Sequence, residues 1–181
     1  MKSVDIIQGI QGIKQRPGKK KEGLSFSRTI IIGADHAGVP LKKYLLPLLI
    51  KEGYTVQDKG SFDKNKPDDY PDIAVKVAKE VAKEVLKKKD IRGILICGTG
   101  TGMVMAANKV PGIRAAMCYD RYSAVMARHD NDANVLTLRS RQFSKMLAWN
   151  ITKAWLTTPF SGTPRHKRRI KKLQRLDSRK K

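Results

Sequence analysis

Acidic residues are scarce in this chain: 16 Asp and Glu stand against 38 Lys and Arg, a formal net charge of +22. Cysteine is scarcer still, with Cys97 and Cys118 alone. Two thiols build no disulfide framework, so a reducing compartment, the cytoplasm, is the expected home. Aromatic residues make up 6%, too few for a core face that interleaves rings with cations to stack bases. The most apolar stretch, Tyr44 to Ile50, is short and interrupted by Pro47, so no membrane span is expected. Met1 to Ser27 lacks the continuous apolar region of a signal peptide.

What is abundant is positive charge, and it gathers at the two ends. Residues 1–28 hold seven basic residues against Asp5 and Glu22, and residues 165–181 hold ten against Asp177, so fourteen of the 22 net charges lie there. Such ends read first as solvated tails and second as contacts for nucleic acid or another anionic surface. The length supports one domain with an adequate core. The expected division is a flexible basic arm over 1–28, a folded domain over 29–176 and a basic tail over 177–181.

Short apolar runs at Thr29–Ile32, Tyr54–Val56, Ile94–Ile96, Gly112–Met117 and Asn134–Leu138 read as strands. Between them lie helical periodicities. One opens at Pro40 with Leu41, Tyr44, Leu45, Leu48 and Leu49, and is bent by Pro47. A second starts near Pro71 with Ile73, Val77, Val81 and Val85 on one stripe, a third runs from the glycine turn to about Lys109, and a fourth covers Tyr122–Arg128. Phe143–Leu156 offers Met146, Leu147, Ile151, Ala154 and Trp155 to the core, and His166–Leu176 is a basic last helix. The alternation predicts an α/β fold, a parallel sheet with helices on both faces.

Gly93 to Asn108 is the stretch around which the rest is organised. Ile94-Leu95-Ile96 reads as a buried strand, and Cys97-Gly98-Thr99-Gly100-Thr101-Gly102 as a glycine turn into a helix. Glycines let a ligand approach the backbone closely, and amides that open a helix lack partners, so a developing negative charge is favoured there. The same place raises the thiolate fraction of a cysteine. A tight turn with a small buried hydrophobe at Cys97 is the plain alternative. In parallel sheets ligands bind beyond the carboxyl ends of the strands, which collects Asp35 and His36, Cys97 to Gly102, and Cys118 to Asp120 into one crevice.

These pieces together resemble the type B ribose-5-phosphate isomerases, the family that also holds the galactose-6-phosphate isomerase subunits. The resemblance rests on Gly33-Ala34-Asp35-His36-Ala37-Gly38, Asp69-Tyr70-Pro71-Asp72, Gly93 to Ala116, Asn131 to Leu136 and Arg165-His166-Lys167-Arg168-Arg169. It implies a Rossmann-like three-layer sandwich with a five-stranded parallel sheet, forming a homodimer with shared active sites; a tetramer is the alternative assembly. It further implies no metal and no cofactor, and interconversion of ribose 5-phosphate and ribulose 5-phosphate through a cis-enediolate.

By the same resemblance Cys97 takes the part of the base, while Met103 stands where another branch carries a glutamate. Thr99 and the amides of Gly98, Gly100 and Gly102 correspond to the groups that hold the enediolate, and Asp35 and His36 to the sugar-ring contacts. Asn108 and Asn131 fall in matching stretches and are expected to touch substrate. Arg141, Arg165 and Arg169 correspond to the phosphate-binding cations, a task that suits the guanidinium fork. The chain departs from the family pattern at His129-Asp130-Asn131, where Asp130 occupies the place of a ring-opening histidine. A phosphorylated hexose, allose or galactose 6-phosphate, is the alternative substrate. A nucleic-acid-binding protein using the basic ends is the alternative of another class.

Overall fold

The computed structural model describes residues 29–87 and 90–177; the expected arm over 1–28 and residues 178–181 of the tail lie outside the described residues. Five strands form one sheet: β1 (Thr29–Ala34), β2 (Thr55–Asp58), β3 (Ile91–Cys97), β4 (Ala115–Met117) and β5 (Val135–Arg139). Their order is β2-β1-β3-β5-β4, and every pair is parallel. Six α-helices accompany them among the described residues: α1 (Val39–Lys51), α2 (Tyr70–Leu86), α3 (Thr101–Ala107), α4 (Arg121–His129), α5 (Lys145–Thr157) and α6 (Pro164–Asp177). The expected α/β sandwich is present. Among the described residues no helix is long and apolar enough to cross a membrane.

Alternation along each strand assigns the two faces. Ile30, Ile32, Ile94, Ile96, Leu136 and Leu138 pack against Leu41, Leu45 and Leu49 of α1, Ala124 of α4, and Ala148, Ile151 and Trp155 of α5. Ile31, Leu95, Cys97 and Val135 pack on the other face against Ala74, Val77 and Val81 of α2 and Met103 of α3. Because both faces are covered, the strands read as continuous apolar runs. The chain turns from β1 to β2 on one side and enters β3 on the other, so a crevice opens between the carboxyl ends of β1 and β3.

Some boundaries and faces differ from the sequence reading. β4 begins at Ala115, because the segment before it turns at Gly112 with φ of +80°. α3 stops at Ala107 instead of reaching Lys109. Met146 and Leu147, expected in the core, are exposed: α5 turns Ala148, Ile151, Thr152 and Trp155 inward instead. Helical periodicity leaves the phase of an apolar stripe open by one residue, and the packing surface decides it.

Beside β1, residues 59–61 extend the sheet's hydrogen bonding, with Lys59 N donating to Ile32 O at 2.8 Å and Ser61 N to Ala34 O at 2.7 Å. Lys42, buried in α1, clamps this segment by donating to Asp58 Oδ1 at 2.7 Å and to the Ser61 carbonyl at 2.6 Å. A Cβ on Gly60 would stand 2.1 Å from Ala34 N and 2.8 Å from Ala34 O. We predict that Gly60→Ala, by forcing backbone apart rather than a flexible side chain, costs about 3 kcal/mol. The check is the urea midpoint, and an unchanged midpoint would show that the loop rides free of β1.

Candidate active site

The turns that follow β1, β3 and β5 meet at the carboxyl edge of the sheet. Asp35 N donates to Ile96 O at 3.1 Å, Ser140 N to Cys97 O at 2.9 Å and Arg141 N to Gly98 O at 3.1 Å. Ser140 Oγ bridges the same turns, donating to Ala37 O at 2.8 Å and lying 3.1 Å from Cys97 O. Backbone contacts thus bring Asp35 and His36 together with Cys97 to Gly102, as expected, and add Arg141 to them.

Cys97 ends β3 with its thiol almost wholly buried, and Gly100 N donates to its Sγ at 3.0 Å. That bond needs the left-handed backbone of Gly100, whose φ is +84°, a conformation glycine adopts without steric cost. Thr99 is exposed at the turn's tip. Arg141 lies across Gly98, its guanidinium carbon 3.2 Å from where a Cβ would stand, and the Tyr70 ring covers Gly102 more closely still, at 2.5 Å. Cys118, in the turn after β4, has another character. Burial above all pushes its thiol up to about 11, with the Ser123 hydrogen bond opposing and the Asp120 charge reinforcing. It is a packed hydrophobe.

His36 donates its backbone N–H to Asp68 Oδ1 at 2.8 Å, and its Nδ1 lies 2.9 Å from the same oxygen. A carboxylate accepts only, so the proton sits on Nδ1 and Nε2 is left without a partner among the described residues. Burial raises Asp68, but the backbone and ring bonds from His36 outweigh it and hold the carboxyl below its ordinary value. Asp35 is raised: burial dominates, opposed by the Gly38 amide, which donates to its Oδ1 at 2.8 Å, and by His36. Beside the glycine turn opens a pocket of about 340 Å3 lined by Thr99, Thr101, Tyr119, Arg139, Arg141 and Gln142.

The remaining sequence candidates lie at the opposite edge. Gly93 N donates to Asn134 O at 2.9 Å, which fixes the loop after α4 beside the start of β3. Arg92 Nη1 donates to Leu156 O at 2.7 Å, and Ser161 N to His129 O at 3.0 Å, so α6 also begins there. Asp130, Asn131, Arg165 and Arg169 therefore stand about 20 Å from Cys97, the length of β3. Asn108 turns both amide groups onto the edge strand, bonding Ala115 O at 3.0 Å and Ala115 N at 2.8 Å.

At this amino edge His129 Nδ1 lies 2.7 Å from Asp130 Oδ1, and His166 Nε2 lies 3.6 Å from that oxygen. The ligand atoms of the three residues fall within 4.8 Å of one another, a spacing that could hold a metal ion. However, Arg165 Nη2 donates to His166 Nε2 at 3.1 Å, and Ser161 Oγ lies 2.6 Å from its Nδ1. The lone pair a metal would take is already engaged, next to a guanidinium. The trio works as a hydrogen-bonded cluster.

A family model described as Ribose/Galactose Isomerase matches residues 30–173. The chain belongs to the ribose/galactose isomerase family. It is 40% identical to ribose-5-phosphate isomerase B of Escherichia coli, over 84% of this chain and 98% of that protein. It is 43% identical to a D-erythrulose-4-phosphate isomerase of Pectobacterium atrosepticum, over 74% of this chain and 86% of that one. The crystal structure of ribose-5-phosphate isomerase B from Mycoplasma genitalium with bound ribulose-5-phosphate superposes with a TM-score of 0.76 at 42% identity, covering 86% of this chain and 99% of that one. The family makes this protein an isomerase of phosphorylated sugars.

Three residues that bear on the isomerase's crevice were passed over as site residues in the sequence. Asp68 carries no local signal, since only the fold brings it to His36 across 32 positions. Tyr70 entered only as part of the stretch Asp69 to Asp72 that carries the resemblance, and Arg139 falls one residue beyond the expected strand Asn134–Leu138. A cation straight after the run Val135 to Leu138 was the one available signal.

The raised carboxyl of Asp35 has a consequence for stability. Because its folded value exceeds its unfolded one, the charged form opposes folding above that range, and the penalty fades as the pH falls through it. We predict that Asp35→Asn, which keeps an acceptor for Gly38 N, raises the urea midpoint at pH 7, with the gain vanishing near pH 3. A lower midpoint at pH 7 would mean that the amide bonds to the carboxylate outweigh its burial.

Proposed function

We propose that the protein interconverts ribose 5-phosphate and ribulose 5-phosphate through a cis-enediolate, with Cys97 as the base. The observation that carries this reading is the placement of Cys97 Sγ at the end of the central strand, accepting from Gly100 N. An amide aimed at a sulfur becomes a stronger contact when that sulfur carries charge. The thiolate takes the proton from C2 of the aldose and returns it to C1, while the hydroxyl proton of O2 passes to O1 across the cis-enediolate and the C=O bond shifts from C1 to C2. The turn amides of Gly98 to Gly102 and the Thr99 hydroxyl hold its oxygens, a kind of contact worth about 3 kcal/mol per donor. Asp35 and His36 bind the sugar, His36 with its ring set by Asp68.

The chain cannot complete this site alone, because Asp130, Asn131, Arg165 and Arg169 lie at the far edge of their own subunit. A homodimer that sets the amino edge of one copy against the carboxyl edge of the other unites them. Arg165 and Arg169 of the second copy then meet the phosphate with Arg141. The same edge brings the His129–Asp130 pair to the sugar ring. A carboxylate at 130 is a poor proton donor at neutral pH, whereas histidine is the side chain that changes charge between pH 5 and 8. Accepting from His129 Nδ1, Asp130 orients that ring and leaves its Nε2 to protonate the ring oxygen.

The relative named for D-erythrulose 4-phosphate favours a second reading with a shorter substrate. Assays of tetrose, ribose, allose and galactose phosphates side by side decide the length.

Cys97→Ala is expected to lower kcat by 10² or more, the contribution typical of a positioned base, with an unchanged far-ultraviolet spectrum. Mixing inactive Cys97→Ala and Arg169→Ala subunits under exchanging conditions should restore activity, since one of the two sites then holds both groups. Mixtures that stay inactive would exclude the shared site. His129→Ala should slow turnover of the cyclic sugar about 10²-fold while sparing exchange of the C2 proton in an open-chain substrate. Equal loss in both assays would move His129 from ring opening to structure.

A further inference from the structure

The pocket beside the glycine turn is more cationic than the sequence reading required. Arg139 closes β5 as the register partner of Cys97, so the two backbones are one strand spacing apart, about 4.8 Å. Its guanidinium lies 4.7 Å from the Phe143 ring centroid and 5.9 Å from that of Tyr119. Rings hold a guanidinium in place without accepting its in-plane N–H bonds. Its Nε is buried with no hydrogen-bond partner. No carboxylate among the described residues pairs with Arg139 or with Arg141 across the same pocket. A buried charged donor left unpaired is costly, so the Nε of Arg139 calls for an explanation, while the exposed Arg141 is free to turn toward a ligand.

The hydroxyls of the pocket tell the same story. Thr101 Oγ1 rests 3.8 Å, and Tyr119 Oη 3.6 Å, from the sulfur of Met117. A thioether is a weak acceptor, so either hydroxyl turns toward a stronger one at little cost. Two guanidiniums without counter-ions and two uncommitted hydroxyls around about 340 Å3 fit an oxyanion of charge −2, which a planar fork pairs bidentately.

We propose that Arg139 is a substrate-binding residue, forming with Arg141, Thr101 and Tyr119 a subsite for a phosphoryl dianion, the one carried by the sugar. The source of the dianion rests on the isomerase function proposed above; the pocket's chemistry does not. The subsite belongs to one subunit, so it holds the dianion before any contribution from a second copy.

The test uses the full-length protein at constant ionic strength, with chloride as the control against its general positive charge. Inorganic phosphate should shift the Arg139 Nε resonance in ¹H–¹⁵N spectra saturably, the resonance being assigned by its absence in Arg139→Lys. No shift at saturation overturns the proposal, and this measurement does not depend on a variant that folds. Arg139→Met should weaken phosphate binding about tenfold or more and raise KM for the sugar phosphate in parallel, with kcat within about threefold. Exposed Lys43→Met should change neither. Unchanged phosphate affinity in Arg139→Met overturns the proposal. Ribose 5-phosphate should displace phosphate where ribose does not; if it fails to, the dianion is not the substrate's. A wild-type protein that binds phosphate through Arg139 but isomerises no sugar phosphate would leave the subsite standing and remove the proposed function.

Discussion

The carbonyl of Cys97 is the point on which the site depends. It accepts from Ser140 N at 2.9 Å, and Ser140 Oγ, 3.1 Å away, also reaches Ala37 O. One serine therefore ties together the turns that carry His36, Cys97 and Arg141. Every acceptor is a backbone carbonyl, so these bonds fix where the turns run, and the Ser140 hydroxyl is the one side chain they need. The thiol, the imidazole and the guanidinium are then placed by a rigid edge rather than by flexible loops, as a reacting geometry demands.

Chemistry is divided between two edges of one sheet. The carboxyl edge holds Cys97, the proposed base, with the turn amides and the cations of the pocket. The amino edge holds the His129–Asp130–His166 cluster and the basic start of α6. A parallel sheet imposes this division, because each helix returns the chain to the amino edge before the next strand begins. Groups at the two edges of one subunit never meet, which is why the proposed site draws on a second copy.

The two cysteines show how little residue type alone says. Both are almost wholly buried. Cys97 receives the amide of Gly100, whereas Cys118 lies among apolar neighbours near Asp120 and its thiol is pushed up to about 11. The first sits where an amide meets its sulfur, and the second is set up to keep its proton.

Sequence by itself determined the five strands, the alternation with helices and the crevice at Asp35, Cys97 and Gly98 to Gly102. Those depend on local periodicity and on turn glycines, which neighbouring residues write directly. It left open the phase of α5, where Met146 and Leu147 proved exposed, and it missed Asp68, Tyr70 and Arg139. The separation of Asp130, Asn131, Arg165 and Arg169 from Cys97, and the engagement of Asn108 with Ala115, were likewise decided only by the tertiary structure. The physical reason is common to all of these: each depends on which distant backbone a residue packs against, and the pairing of β5 between β3 and β4 is a long-range contact that no local pattern encodes.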